Sequence, residues 1–168
     1  MAEKQNPGSA ANDGFTAEER VAMKARAAEL RVDAKRKKGA VKAAAELQDA
    51  LDAIAKMADG DRALAERVHA LVLKAGPSLG AKTWYGMPAY ALDGTVVCFF
   101  QAAGKFGARY CTFGFNDPAT LDEGTMWPTA FALTAVGPAE ENRIVELVRR
   151  AVGVGSNDLD FVEAISAD

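Results

Sequence analysis

Two short segments hold most of the side chains able to recognise something. Thr83-Trp84-Tyr85-Gly86-Met87-Pro88-Ala89-Tyr90 and Met126-Trp127-Pro128-Thr129 contain both tryptophans and two of the three tyrosines. Pro88 and Pro128 bias Met87 and Trp127 towards extended backbone, and Gly86 accepts a positive φ that other residues resist. Large amphipathic rings on a stiff, irregular backbone suggest a shaped surface more than a simple core strand. Trp84, Tyr85, Met87, Pro88, Tyr90, Phe99, Tyr110 and Trp127 are therefore the candidate ligand-binding set. Stacking or shape is assigned to the tryptophans and hydrogen bonding to the tyrosines.

Residues for covalent or metal chemistry are sparse. His69 is the one histidine, beside the apolar stripe of an expected helix, with no second histidine or nearby cysteine to complete a site. Ser/His and Cys/His mechanisms would all rest on it. Cys98 and Cys111 form no CxxC pattern and read as small buried hydrophobes. Gly104-Lys105-Phe106-Gly107 falls in an expected hairpin, not at the strand-to-helix turn a phosphate loop needs. No catalytic residue is assigned. The carboxylates available to a hard metal are Asp122 with Glu123, Glu140 with Glu141, and Asp158, Asp160 and Glu163.

Charge bounds the partners. The 168 residues carry a net charge of −3, with 49% hydrophobic and 26% charged residues. Residues 1–80 hold 14 basic and 12 acidic side chains, and residues 81–168 hold 6 and 11. Neither half has the basic excess of a protein devoted to phosphate backbones, so nucleic acid is not the expected partner. The densest cationic run is Lys35-Arg36-Lys37-Lys38, with Arg31 and Lys42 nearby. No apolar run approaches the ~18 residues of a membrane span, and the default location is cytoplasmic.

The elements that must position these residues follow from periodicity. Residues 1–14 read as a disordered leader. Thr16-Ala17-Glu18-Glu19 is a capping box opening a helix to about Lys38, with Gly39 as its stop. A second helix is expected over Val41–Ala58 on Leu47, Leu51, Ile54 and Ala58, so that residues 15–58 form a helical extension. Asp61 is placed to cap a third helix with the stripe Leu64, Val68, Leu71, Val72 and Ala75, ended by Gly76-Pro77.

From Lys82 the period alternates. Strands are expected near 82–85, 88–92, 95–101 and 108–115, with another over Phe131–Thr134. Asp93-Gly94 is a two-residue hairpin signal, placing Tyr90 opposite Val97, Ala89 opposite Cys98 and Pro88 opposite Phe99. A turn at Gly104-Lys105 would set Cys98 opposite Cys111 and Phe99 opposite Tyr110. Ala89, Ala91, Val96, Cys98, Cys111, Phe113 and Phe115 then face the helices. Pro88, Tyr90, Val97, Phe99, Tyr110 and Thr112 line a cleft. Asn116-Asp117-Pro118 starts a short helical turn, Gly137-Pro138 opens a last helix, and residues 154–168 make an acidic tail. The fold class is α+β, an antiparallel sheet of four to five strands backed by helices over residues 59–153.

Trp84-Tyr85-Gly86-Met87-Pro88-Ala89-Tyr90, Val97-Cys98-Phe99-Phe100, Gly114-Phe115, Leu121 to Thr129 and the helix from Glu141 to Val152 resemble the YdhG-like family, over roughly residues 61–152. That bacterial family is mainly of unknown function, near the frataxin-like folds, and one branch is described as an intracellular iron chaperone. The resemblance implies a non-catalytic cytoplasmic binding protein with an aromatic cleft for a small molecule, metal or protein. Iron is the cofactor to test, with Asp122 and Glu123 its ligands. The rival class is a small-molecule enzyme using Asp122 or a tyrosine in a closed pocket. A weaker rival is a nucleic-acid accessory protein acting through Lys35 to Lys38.

Overall fold

The computed structural model describes residues 17–153, and the side chains from residue 20 onward except residues 21 and 22. Thr16 of the capping box, the leader and the acidic tail lie outside the described residues. The element order is α1 (Ala17–Ala55), α2 (Asp59–Ala75), β1 (Gly80–Trp84), β2 (Met87–Leu92), β3 (Thr95–Gln101), α3 (Ala103–Phe106), β4 (Cys111–Phe115), β5 (Ala130–Leu133) and α4 (Pro138–Ala151). The α+β class is as expected. The expectation of two helices before Asp59 is not met, because α1 runs through Gly39 unbroken. One interior glycine costs ~1 kcal/mol, which the surrounding alanines, lysines and arginines outweigh.

Two compact units divide after Ala40. The first contains the N-terminal part of α1, whose side chains are exposed wherever they are described. In the second, the end of α1 contributes Ala50 and Ile54 to the core, while Leu47 and Leu51 are exposed. Of the expected stripe only Ile54 is buried, and Ala50 takes the place beside it that Leu51 was expected to fill. Helix α2 buries Ala65, Val68, Leu71, Val72 and Ala75 and meets α4 through Ile144, Leu147, Val148 and Ala151. Arg67 and Glu141 form an ion pair between these two helices. Pro138 starts α4, and the Glu140 carboxylate accepts from the Gly137 N–H at 2.9 Å. Among the described residues no helix is long and apolar enough to cross a membrane.

The sheet is an antiparallel meander in the order β1-β2-β3-β4-β5. Asp93 (φ 50°) and Gly94 (φ 85°) close β2–β3 with Leu92 opposite Thr95, the expected two-residue turn. Beyond that turn the register departs from expectation. Ala91 pairs with Val96, but Tyr90 pairs with Cys98 and Ala89 with Phe99, so Val97 is a bulge. The extra residue reverses the expected faces of β2, while Cys98 and Phe99 keep theirs. Tyr90 therefore joins the helix side instead of the cleft side.

The β3–β4 register is corrected as well. Cys98 lies opposite Phe115, and Phe99 opposite Gly114. Neither Cys111 nor Tyr110 is the partner, because residues 102–110 form a long connection around α3 and not a tight turn at Gly104-Lys105. Cys98 and Cys111 are both free thiols in the core. Residues 116–124 make turns but no helix, and Thr120 anchors the stretch through its hydroxyl to the Arg150 carbonyl at 2.6 Å.

Candidate functional site

Strands β1 and β2 join through another two-residue turn, Tyr85-Gly86, closed by the pair Trp84–Met87. Both turn residues have positive φ, 50° and 72°, which defines the type I′ hairpin and favours Asn-Gly. Gly86 meets this demand freely. Tyr85 is held left-handed against a preference of about 1 kcal/mol. It is 81% exposed, so burial does not explain its position. Its ring lies 4.9 Å edge-on from Trp84, and Trp84 lies 5.2 Å from Phe99. A Cβ on Gly114 would fall within the Phe99 ring, so glycine lets that ring lie across the β4 backbone. The row Tyr85–Trp84–Phe99 thus occupies the sheet face opposite Tyr90.

The remaining candidates are distributed otherwise. Tyr90 is fully buried on the helix side, with its hydroxyl 3.2 Å from His69 Nδ1. Burial raises the Tyr90 pKa, with the Cys98 thiol adding to the effect, and lowers that of His69. The imidazole and the phenol satisfy one another, the donor being set by the His69 tautomer. Met87 and Pro88 are buried beside the hairpin. Tyr110 sits in the loop before β4 with the Arg109 guanidinium 5.3 Å from its ring centre. Trp127 is half-buried against the core. The eight residues therefore do not line one cleft. Trp84, Tyr85 and Phe99 come together; Tyr90, Tyr110 and Trp127 do not join them.

Next to the turn is an open cavity of ≈ 680 Å³ that sequence reasoning missed. Its polar lining comes from Asp49, Asp52 and Lys56 near the end of α1, Asp61 in α2, Thr83 in β1 and Lys105 in α3. Gly86 and Gly104 contribute backbone. Lys105 Nζ donates to the Gly86 carbonyl at 2.8 Å. Asp61 does not cap α2; it accepts from the Gly104 N–H at 2.8 Å and from Cys111 Sγ at 3.3 Å. Burial, with the Asp61 carboxylate adding to it, pushes the Cys111 thiol up, so it stays protonated. Burial alone raises Cys98. Signals for the cavity were present in the sequence. Asp61 follows a helix break, and Gly104-Lys105 sits between apolar strands, yet both have ordinary cap and turn readings.

The cavity offers three carboxylates, two ammonium groups and a hydroxyl, a lining suited to ion pairing and hydrogen bonding with a polar molecule. Its lining contains no thiol or imidazole. Asp122 and Glu123 are exposed, and the Glu123 carboxylate lies 3.9 Å from Arg150. Among the described residues, no three of His, Cys, Asp and Glu come together as a ligand set. No protein-family model, curated protein or solved structure matches this chain.

Proposed function

We propose that this protein binds a small polar molecule without transforming it. The ligand would sit in the cavity between the end of α1 and the Tyr85-Gly86 turn, with Gly86 in its lining and the exposed Tyr85 ring, outside the lining, at the tip of that turn. The observation that carries this reading is Tyr85 itself: a large ring held at φ 50° and left exposed at the tip of a hairpin. The hairpin requires the positive φ but not an exposed aromatic there, and side chains kept in such conformations cluster at ligand sites.

Three further features support the reading. The Trp84–Phe99 row fixes one side of the Tyr85 ring, so little entropy is lost when a ligand meets it. Lys105 fastens the turn to the wall of the cavity. The lining carries both signs of charge, which suits a zwitterion or a polar metabolite bearing an acidic and a basic group. A binding role of this kind agrees with the YdhG-like resemblance. For iron handling, the exposed Asp122 and the Arg150-facing Glu123 supply no support.

Amide NMR spectra recorded against a library of zwitterionic and anionic metabolites test the proposal. A binder should shift the Tyr85, Gly86, Gly104 and Lys105 amides together. Shifts confined to other regions for every binder would contradict it.

A further inference from the structure

The N-terminal part of α1 carries its charges in an order that whole-chain balance hides. Lys24, Arg31, Lys35 and Lys38 are separated by seven, four and three residues. At 3.6 residues per turn they fall within an arc of about 60° and extend along roughly 21 Å of helix. All four are exposed. None has a carboxylate three or four residues away in either direction, and among the described residues no ion pair engages them.

Glu29 pairs with Arg26 at 2.9 Å. Asp33 lies three residues before Arg36 and four before Lys37, the spacings of helix ion pairs. Glu29 thus offsets Arg26, and Asp33 stands at pairing distance in sequence from Arg36 and Lys37, whereas Lys24, Arg31, Lys35 and Lys38 have no acid at those spacings. Arg31, Lys35 and Lys38 moreover stand at i,i+4 and i,i+3 from one another, where like charges repel and weaken the helix. Among the described residues of this unit no ion pair relieves that repulsion.

We infer that this stripe docks on the phosphate backbone of a nucleic-acid duplex. A row of aligned, uncompensated cations on a straight helix matches a row of phosphates, and releasing condensed counterions drives such binding. A membrane fits less well. Met23 and Leu30 lie on one side of the helix, and Val32 lies about 160° away on a thin stripe otherwise made of Val21 and alanines, so the large apolar side chains are split between two faces. The whole-chain charge of −3 argued against nucleic acid only because acids elsewhere in the chain offset this helix.

The inference is independent of the cavity and is tested on the full chain. Fluorescence anisotropy with a labelled 20-base-pair DNA duplex should show binding that weakens roughly 100-fold between 50 and 200 mM salt, as about four phosphate contacts require. The variant K24Q/R31Q/K35Q/K38Q should lose most of that affinity while keeping the parent circular dichroism and unfolding midpoint. The control R26Q/R36Q/K37Q removes three cations from the other faces of the helix and should bind within a few-fold of the parent. No binding at 50 mM salt would overturn the inference, as would equal losses in the two variants. Tighter binding to phosphatidylserine vesicles or to polyglutamate than to the duplex would overturn it in favour of a membrane or an acidic protein.

Discussion

The Lys105 ammonium bonds the Gly86 carbonyl at 2.8 Å, tying the connection after β3 to the turn that presents Tyr85. A Cβ at Gly86 would stand 2.5 Å from that nitrogen, so the bond depends on glycine for space as well as for φ. Replacing Lys105 by Met keeps the aliphatic stem and removes the donor. Because the bond is exposed, the expected stability loss is small, under about 1 kcal/mol. The measurable change should be faster hydrogen exchange at Tyr85 and Gly86 and weaker ligand binding.

Gly114 and Phe99 give a packing test of the aromatic row. Gly114→Ala places a methyl group where the Phe99 ring lies and should destabilise by about 1–3 kcal/mol. In Gly114→Ala/Phe99→Leu the ring is gone, so much of the penalty should disappear. Denaturant unfolding of the two single variants and the double variant gives the coupling. Additive effects would mean that the ring does not rest on Gly114.

His69 makes stability depend on pH. Burial lowers its pKa from the ordinary 6.5, so the unfolded chain takes up a proton at a pH where the folded chain does not. Stability from the neutral imidazole is then full above about pH 6.5 and falls as pH drops towards the folded pKa. His69→Gln should flatten the slope of unfolding free energy below pH 6.5. Tyr90→Phe removes the hydroxyl facing Nδ1 and should cost ~1 kcal/mol at neutral pH.

Legibility followed local chemistry. Asp93-Gly94 named its own turn, because only a few residue pairs tolerate two positive φ values in succession. The α2 and α4 stripes declared themselves through apolar spacing. The Val97 bulge did not, since Val96-Val97-Cys98-Phe99-Phe100 is apolar throughout and offers no alternation to mark a skipped position. That single residue moved Tyr90 from the expected cleft wall to the His69 side of the sheet. The cavity was hidden for a different reason. Its walls come from α1, α2, β1 and α3, so its residues are neighbours only after folding. Trp84 and Tyr85 were legible as special because a ring beside glycine and proline is informative before any fold is known.

The most direct test of the binding account is the variant Tyr85→Asn, examined by thermal unfolding alone and with the tightest binder from the metabolite library. Asparagine suits the first position of a type I′ turn, so relief of strain should raise the midpoint by about 2–4 °C. The same variant should lose most of the additional stabilisation that the metabolite gives the parent protein. A gain in stability with loss of binding is what a strained recognition side chain predicts. A lower midpoint, or undiminished stabilisation by the metabolite, would contradict it.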